Sequence, residues 1–362
     1  MAASTLETQT TSAIGITIDV NEETRILIIQ TAFAGDLILT TPLVEAASRY
    51  FSLASIDVVC IPTTADLLRN NPSIHEIIVY DKQADRFGFE IFFRMQKRLR
   101  AGKYDVVLSP HRSFRSALIA WSTRAKKRVC FHTSSGRFLF TDVAPYQEQL
   151  HEVERVLSLL EIFGNVDVQE KNPRIYPGDE ERKSVARVLS GIEDRFLVTI
   201  APGSVWATKR WTEEGFRRVA LALIETGFHI AFIGGKDDRE IGARITQTLP
   251  KQSFTNFIGQ LSLLESSEVI RRSRVLIAND SAPVHLASAM RTPVVDIFGP
   301  TIPEFGFAPY GIPHRIIRNE HLSCSPCSIH GGNVCPIKTF VCMRELSWET
   351  VFHAAITLIG NR

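Results

Sequence analysis

Nowhere in the sequence do apolar residues run for the eighteen or so positions that a membrane-spanning helix needs. The first twenty-four residues, MAASTLETQTTSAIGITIDVNEET, have neither a basic start nor a sustained apolar stretch, so they do not read as a secretory signal. They are expected to form a disordered or loosely attached extension. Cysteine is sparse: six in 362 residues is too few for a disulfide framework, and with no export signal a reducing compartment is expected. The expected location is therefore the cytoplasm, with peripheral contact at the inner face of the cytoplasmic membrane left open. Two nucleotide-binding signatures are also missing. There is no G-x-G-x-x-G after a strand and no G-x-x-x-x-G-K-[ST], which disfavours a dinucleotide oxidoreductase and a P-loop enzyme.

What is present is an ordinary globular composition, 44% hydrophobic and 22% charged, in a chain long enough for two domains with a core each. The net charge of +2 is uninformative, but its distribution is not. Between Arg94 and Arg128 there are eleven Lys or Arg and one acid, Asp105. Such a field suits an anionic small molecule, a phosphorylated lipid headgroup or nucleic acid; a solvated helix face is the plainer alternative.

From residue 25 onward short apolar runs alternate with segments of helical period, the pattern of βα units and parallel sheets. Strands are expected at 25–30, 56–61, 76–80, 105–109 and 128–131, and helices near 36–50, 63–70, 89–101, 113–122 and 150–163. The polar segment QEKNPRIYPGDEE, 169–181, with two prolines and a glycine, reads as a linker. Strands then resume at 196–203, 229–235, 274–280 and 293–300, with helices near 212–226, 238–249, 261–271 and 282–290. A last helix, 346–359, is a candidate to cross back to the first domain. The fold class is thus α/β: an extension (1–24) and two doubly wound, Rossmann-like domains (25–172 and 173–362), expected to hold ligands at the carboxyl ends of their strands.

The loops after those strands carry the chemistry. In QTAFAGDLILTTP, Gly35 permits positive φ and close approach of a ligand. Asp36 reads either as a helix N-cap or as a carboxylate able to take a proton from a substrate hydroxyl. In APGSVWATKRW, Ser204, Thr208, Lys209 and Arg210 gather hydroxyls and cations ahead of a helix, as a diphosphate requires. FIGGKDD offers Gly234 and Gly235 for a nucleotide's approach. In LIANDSAPVHLASA, Asn279, Asp280 and Ser281 close a strand, Ser281 is a natural N-cap, Ala282 and Pro283 open a helix, and His285 follows in its first turn, either packed in the core or donating to a phosphate.

Read in order, AGDLILTTP, PGSVWATKRW and NDSAPVHLASA…PVVDIFGPT resemble glycosyltransferase family 9, the ADP-heptose:lipopolysaccharide heptosyltransferases, and among them the heptosyltransferase II branch most. The resemblance spans about residues 25–360. It implies a GT-B architecture of two Rossmann-like domains facing a cleft, with acceptor on the first and nucleotide sugar on the second. It implies an inverting transfer of heptose from ADP-heptose to the lipopolysaccharide inner core, with Asp36 as general base and Lys209 on the donor phosphates. Gly35, Ser204, Arg210, Gly234, Gly235, Asn279, Asp280, Ser281, Ala282 and His285 would complete the donor site. His111, Arg112 and Arg115 of SPHRSFRSA match a segment near an anionic, lipid-linked saccharide acceptor. No cofactor beyond the nucleotide sugar, no nucleic-acid partner and a monomeric state are expected. Ala282-Pro283 stands where many members carry glycine.

Cys324, Cys327, Cys335 and Cys342 form C-x₂-C-x₇-C-x₆-C around His330. A structural zinc site is one reading; reduced, partly buried thiols is the preferred one, because the second pair lacks the close spacing of common zinc modules. Cys60 and Cys130 lie in expected strands. The rival functions are a family 9 enzyme using another nucleotide sugar, a non-catalytic two-lobed sugar-nucleotide binder, and a nucleic-acid binder.

Overall fold

The computed structural model describes residues 22–81 and 90–360. The extension expected over 1–24 lies, up to residue 21, outside the described residues. The chain divides into two compact units, one ending at Lys171 and the next beginning at Asn172.

The first unit runs β1 (Thr24–Ile29), α1 (Ala34–Tyr50), β2 (Ala54–Cys60), β3 (Glu76–Val79), α2 (Glu90–Ala101), β4 (Val106–Ser109), α3 (Phe114–Ser122), β5 (Lys127–Phe131), β6 (Asp142–Ala144) and α4 (Glu152–Leu157). Its six strands are parallel in the order β3-β2-β1-β4-β5-β6. The second unit runs α5 (Asp179–Val188), β7 (Leu197–Ala201), α6 (Glu213–Glu225), β8 (His229–Phe232), α7 (Arg239–Thr246), β9 (Phe254–Asn256), α8 (Leu263–Arg272), β10 (Leu276–Asn279), α9 (Ala282–Met290), β11 (Val294–Ile297), β12 (His314–Ile317), α10 (Val341–Arg344) and α11 (Trp348–Gly360). Its strands, also parallel, lie in the order β12-β11-β10-β7-β8-β9. Both orders are the doubly wound arrangement, which reverses direction between β1 and β4 in one sheet and between β7 and β10 in the other.

The apolar runs are continuous rather than alternating because both faces of each sheet are covered by helices. Ile26, Leu27, Ile28 and Ile29 of β1 are fully buried, as are Leu276, Ile277 and Ala278 of β10. The last helix is held within its own unit: Val351, Ala355 and Leu358 of α11 join Val295, Ile297 and Phe216 in one core.

Differences from the expected elements have local causes. Residues 63–70 hold only a 3₁₀ turn, Ala65–Leu68, and the helix expected over 150–163 changes to 3₁₀ at Ser158. The linker segment yields its last residues to α5, whose first turn is fixed by Gly178 N–H donating to Glu181 Oε2 at 2.7 Å. Strands β6 and β9 have three residues each and β12 reads HRII, too short or too polar to show a period. They complete the two sheets.

Candidate functional site

The residues named from the sequence in the first unit sit where its sheet reverses direction. After β1, Gln30 pins the turn: its Oε1 accepts from Ala32 N–H at 3.3 Å and its Nε2 donates to Thr40 Oγ1 at 3.0 Å. Helix α1 begins earlier than expected, with Phe33 as its N-cap. Gly35 and Asp36 are therefore its second and third residues, which corrects the positive φ read for Gly35 and the N-cap read for Asp36. Gly35 has helical dihedrals, so the positive φ foreseen for it is not used. Asp36 is not the N-cap; it occupies the position whose side chain reaches back toward the N-cap amide. Pro42 is tolerated inside α1 because Thr41 Oγ1 donates to Ile38 O at 2.7 Å, satisfying the carbonyl that residue 42 cannot reach.

Asp36 is half-buried, and its pKa is raised to about 6. Burial is the main cause and the Glu152 carboxylate adds to it, while the backbone N–H groups of Phe33 and Asp36 and the Arg112 guanidinium pull the other way. After β4, His111 Nδ1 lies 2.9 Å from Thr31 Oγ1 and 3.0 Å from Ser116 Oγ. Ser113 caps α3 by accepting from Ser116 N–H at 3.2 Å. The Arg112 guanidinium lies over the Tyr146 ring, 4.1 Å from its centroid. Arg115 is exposed in the first turn of α3.

Behind Arg112 lies a network that sequence reasoning missed. Tyr146 Oη donates to Glu152 Oε2 at 2.8 Å, and Arg155 Nη1 donates to the same carboxylate at 3.1 Å and to Tyr146 Oη at 2.9 Å. All three side chains are buried. Burial raises the Glu152 pKa against the pull of Tyr146 and Arg155. A carboxylate in the first turn of a short helix looks like helix-dipole decoration in sequence, and only tertiary packing of α4 against α1 brings it near Asp36.

In the second unit the loops after β7 and β10 again flank the reversal point. Lys209 ends a 3₁₀ turn, Ala207–Lys209, and its Nζ donates to Asp280 Oδ2 at 2.6 Å; the pair is almost buried, at 12% and 7% exposure. Thr301 Oγ1 donates to the same oxygen at 2.5 Å. Asn279, expected to meet the donor, has its amide engaged within the protein: Nδ2 donates to Pro202 O at 2.8 Å, and Oδ1 accepts from Trp211 N–H at 2.9 Å. It holds the ends of the 202–211 loop together. Within that loop Arg210 Nε donates to Ser204 O at 2.8 Å, and Ser204 is buried. Ser281 is the N-cap of α9 by position, but its hydroxyl donates to Asn279 O at 3.0 Å and does not cap the helix amides. Ala282 is the first helical residue, half-buried, and His285 is buried.

The space over the glycines is taken up by the protein itself. A Cβ at Gly203 would lie 2.3 Å from the Asp238 carboxylate and one at Gly234 3.0 Å from it, while Gly235 N–H donates to Asp238 Oδ2 at 2.9 Å. Beneath the Lys209–Asp280 pair is a residue sequence reasoning left unassigned. Asp296, in the middle of β11, is wholly buried and neither carboxylate oxygen has a hydrogen-bond partner among the described residues. Its pKa is raised well above the ordinary range by burial and by Asp280, with Lys209 opposing. The signal was a single acid in an otherwise apolar run.

Cys324, Cys327, Cys335 and Cys342 line one cavity of about 70 Å³, and none forms a disulfide. Burial and the neighbouring thiols push Cys342 up to about 11, whereas backbone N–H groups, that of Phe340 foremost, pull Cys335 down. Among the described residues no three or more His, Cys, Asp or Glu are arranged to hold a metal ion. The loop has a mechanical link to the 202–211 loop: Thr208 N–H donates to Gly332 O at 2.9 Å, and Gly332 N–H to Thr208 Oγ1 at 2.8 Å.

Comparison with known proteins bears on the family and the fold. The sequence profile of Glycosyltransferase family 9 (heptosyltransferase) matches residues 92–334. The lipooligosaccharide heptosyltransferase 2 of Haemophilus ducreyi is 27% identical over 296 residues, covering 78% of this chain and 85% of its own. The structure of a family 9 glycosyl transferase from Veillonella parvula superposes with a TM-score of 0.85 at 24% identity, covering 96% of this chain and 99% of that one. The E. coli ADP-heptose LPS heptosyltransferase II superposes with a TM-score of 0.77 at 21% identity, covering 93% and 99%. With a match across two thirds of its length, the chain belongs to glycosyltransferase family 9.

Proposed function

We propose that the protein transfers a heptose from ADP-heptose to the inner core of lipopolysaccharide, with inversion at the anomeric carbon. The observation that carries the reading is Asp36: a half-buried carboxylate with a pKa raised to about 6, at the reversal point of a doubly wound sheet, in a family 9 chain. A carboxylate so poised is a better general base near neutral pH than an ordinary aspartate. In this reading Asp36 takes the proton of the acceptor hydroxyl as its oxygen bonds to the anomeric carbon. The bond from that carbon to the diphosphate breaks on the opposite face, and ADP leaves.

Lys209 meets the charge that gathers on the diphosphate, assisted by the amides at the start of α9 and by Arg210. The positive field they supply makes a metal unnecessary for the step. Asn279 and Ser281 serve as positioning residues, which hold the loop and the helix start that carry the donor contacts. Arg112, Arg115 and His111 favour an anionic saccharide acceptor. The enzyme acts as a monomer that reaches its lipid-linked acceptor by peripheral contact with the membrane.

The test is to incubate the protein with ADP-heptose and with other nucleotide sugars, each with truncated lipopolysaccharide acceptors, and to record nucleotide release. Acceptor-dependent ADP release with ADP-heptose alone is expected. Release with a different sugar in its place overturns the choice of donor and leaves the family standing.

A further inference from the structure

Three arginines and a tryptophan line a cavity of about 280 Å³ that the transfer reaction does not use. Arg100 lies in the last turn of α2, Trp121 in the last turn of α3, Arg124 in the turn that follows, and Arg128 in β5. In a parallel sheet with crossover helices, helices end and strands begin at one edge. The cavity is therefore at the amino edge of the first sheet, whereas Asp36, His111 and Arg112 follow strands at the carboxyl edge, with the length of α3, about 13 Å, between Arg112 and Arg124.

The charges of the cavity are left without carboxylate neutralisation on its walls. Among the described residues that line it none is acidic. Arg128 donates from Nε to Leu139 O at 3.1 Å and also to Ala125 O, and Arg100 donates from Nε to Ser122 O at 3.3 Å, so both are held by carbonyls. The nearby carboxylates have other partners: Asp142 takes Lys127 at 3.0 Å and Thr141 at 2.7 Å, and Asp105 faces Lys126 at 3.8 Å. Burial works against the charged form of Arg128, and the Asp142 carboxylate offsets this only in part. Holding guanidinium groups side by side in this way is unfavourable unless an anion joins them, and their planar donor forks match the oxygens of a phosphate. Trp121, half exposed at the rim, adds an amphipathic ring of the kind that settles at a lipid–water boundary.

We infer that this cavity binds the phosphate of an anionic lipid headgroup and seats the protein on a membrane surface. The chemistry does not depend on which sugar is transferred; only the benefit, proximity to a lipid-linked acceptor, rests on the transferase reading. Both exposed arginines can be changed without touching the catalytic residues.

The test is sedimentation of the full chain with vesicles of phosphatidylcholine alone and of phosphatidylcholine containing phosphatidylglycerol. Preferential binding to the anionic vesicles is expected, weakened about tenfold to thirtyfold in the double variant Arg100→Gln/Arg124→Gln. Trp121→Ala, which removes no charge, should weaken binding as well. Nucleotide release with a soluble acceptor should stay unchanged in both variants, which separates loss of docking from loss of the enzyme. Equal binding by wild type and double variant overturns the inference. So does direct binding of glycerol phosphate without any vesicle binding, which identifies a site for free phosphate, or binding of an oligonucleotide in preference to vesicles.

Discussion

The ammonium of Lys209 and the carboxylate of Asp280 meet at 2.6 Å, and the oxygen that accepts from Lys209 also accepts from Thr301 at 2.5 Å. The two residues are seventy-one positions apart in sequence. Their pairing sets the lysine beside the start of α9, the place where an anion is best received. Lys209→Met should weaken ADP binding by about 10- to 150-fold, the range for one hydrogen bond to a charged group, as measured by titration calorimetry. Asp280→Ala should act on the fold too, because it leaves an almost buried cation without its partner. A loss on the order of 3–5 kcal/mol in denaturant unfolding is expected.

Asp36 and Glu152 give the pH dependence its sign. As the proposed base, Asp36 would act only when ionised, so kcat/KM should rise with pH and level off above about 6, well above an ordinary aspartate. Glu152 is one of the causes of that elevation. Glu152→Gln keeps an acceptor for Tyr146 and Arg155 but removes the charge, so the acidic limb of the pH–rate profile should move to lower pH. A limb that stays in place while the rate falls would mean that Glu152 has only a packing role.

Asp296 makes a prediction about stability. Its folded-state pKa is raised, so the proton-bound form is favoured in the fold. Its contribution is fully retained below the ordinary aspartate range and is lost as pH rises through the folded-state value. Asp296→Asn cannot ionise. Thermal melts across pH should show the variant gaining on the wild type as pH increases, and a constant difference would contradict this.

Gly331 packs the cysteine loop against the 202–211 loop. At φ +89°, a Cβ there would sit 3.0 Å from Trp206 Cβ and 3.1 Å from Lys209 Cγ. Gly331→Ala should cost about 1–2 kcal/mol for the left-handed backbone alone. It should also weaken ADP binding by shifting Lys209; unfolding and calorimetry on one preparation separate the two effects.

The strands were legible in sequence because a sheet buried on both faces must be apolar throughout, as RILII and RVLIA are. The 202–211 loop stood out because hydroxyls and cations are adjacent in its sequence. The start of α1 was misplaced because Phe33, its N-cap, has no side chain that can accept a hydrogen bond, and a rule that looks for Ser, Thr, Asp or Asn passes over it. Glu152 and Tyr146 were invisible for a different reason. Tyr146 matters through Arg112 and Glu152, and Glu152 through the packing of α4 against α1, which brings it near Asp36, over a hundred positions away; no local pattern encodes either. Asn279 was assigned to the ligand because a polar side chain at a strand end is ambiguous until its partners are seen.

The most direct measurement is acceptor-dependent ADP release by Asp36→Asn, taken with ADP affinity on the same sample. Loss of the base should lower kcat by roughly 10²- to 10⁴-fold with donor binding unchanged. Turnover equal to wild type would remove Asp36 from the chemistry and contradict the account.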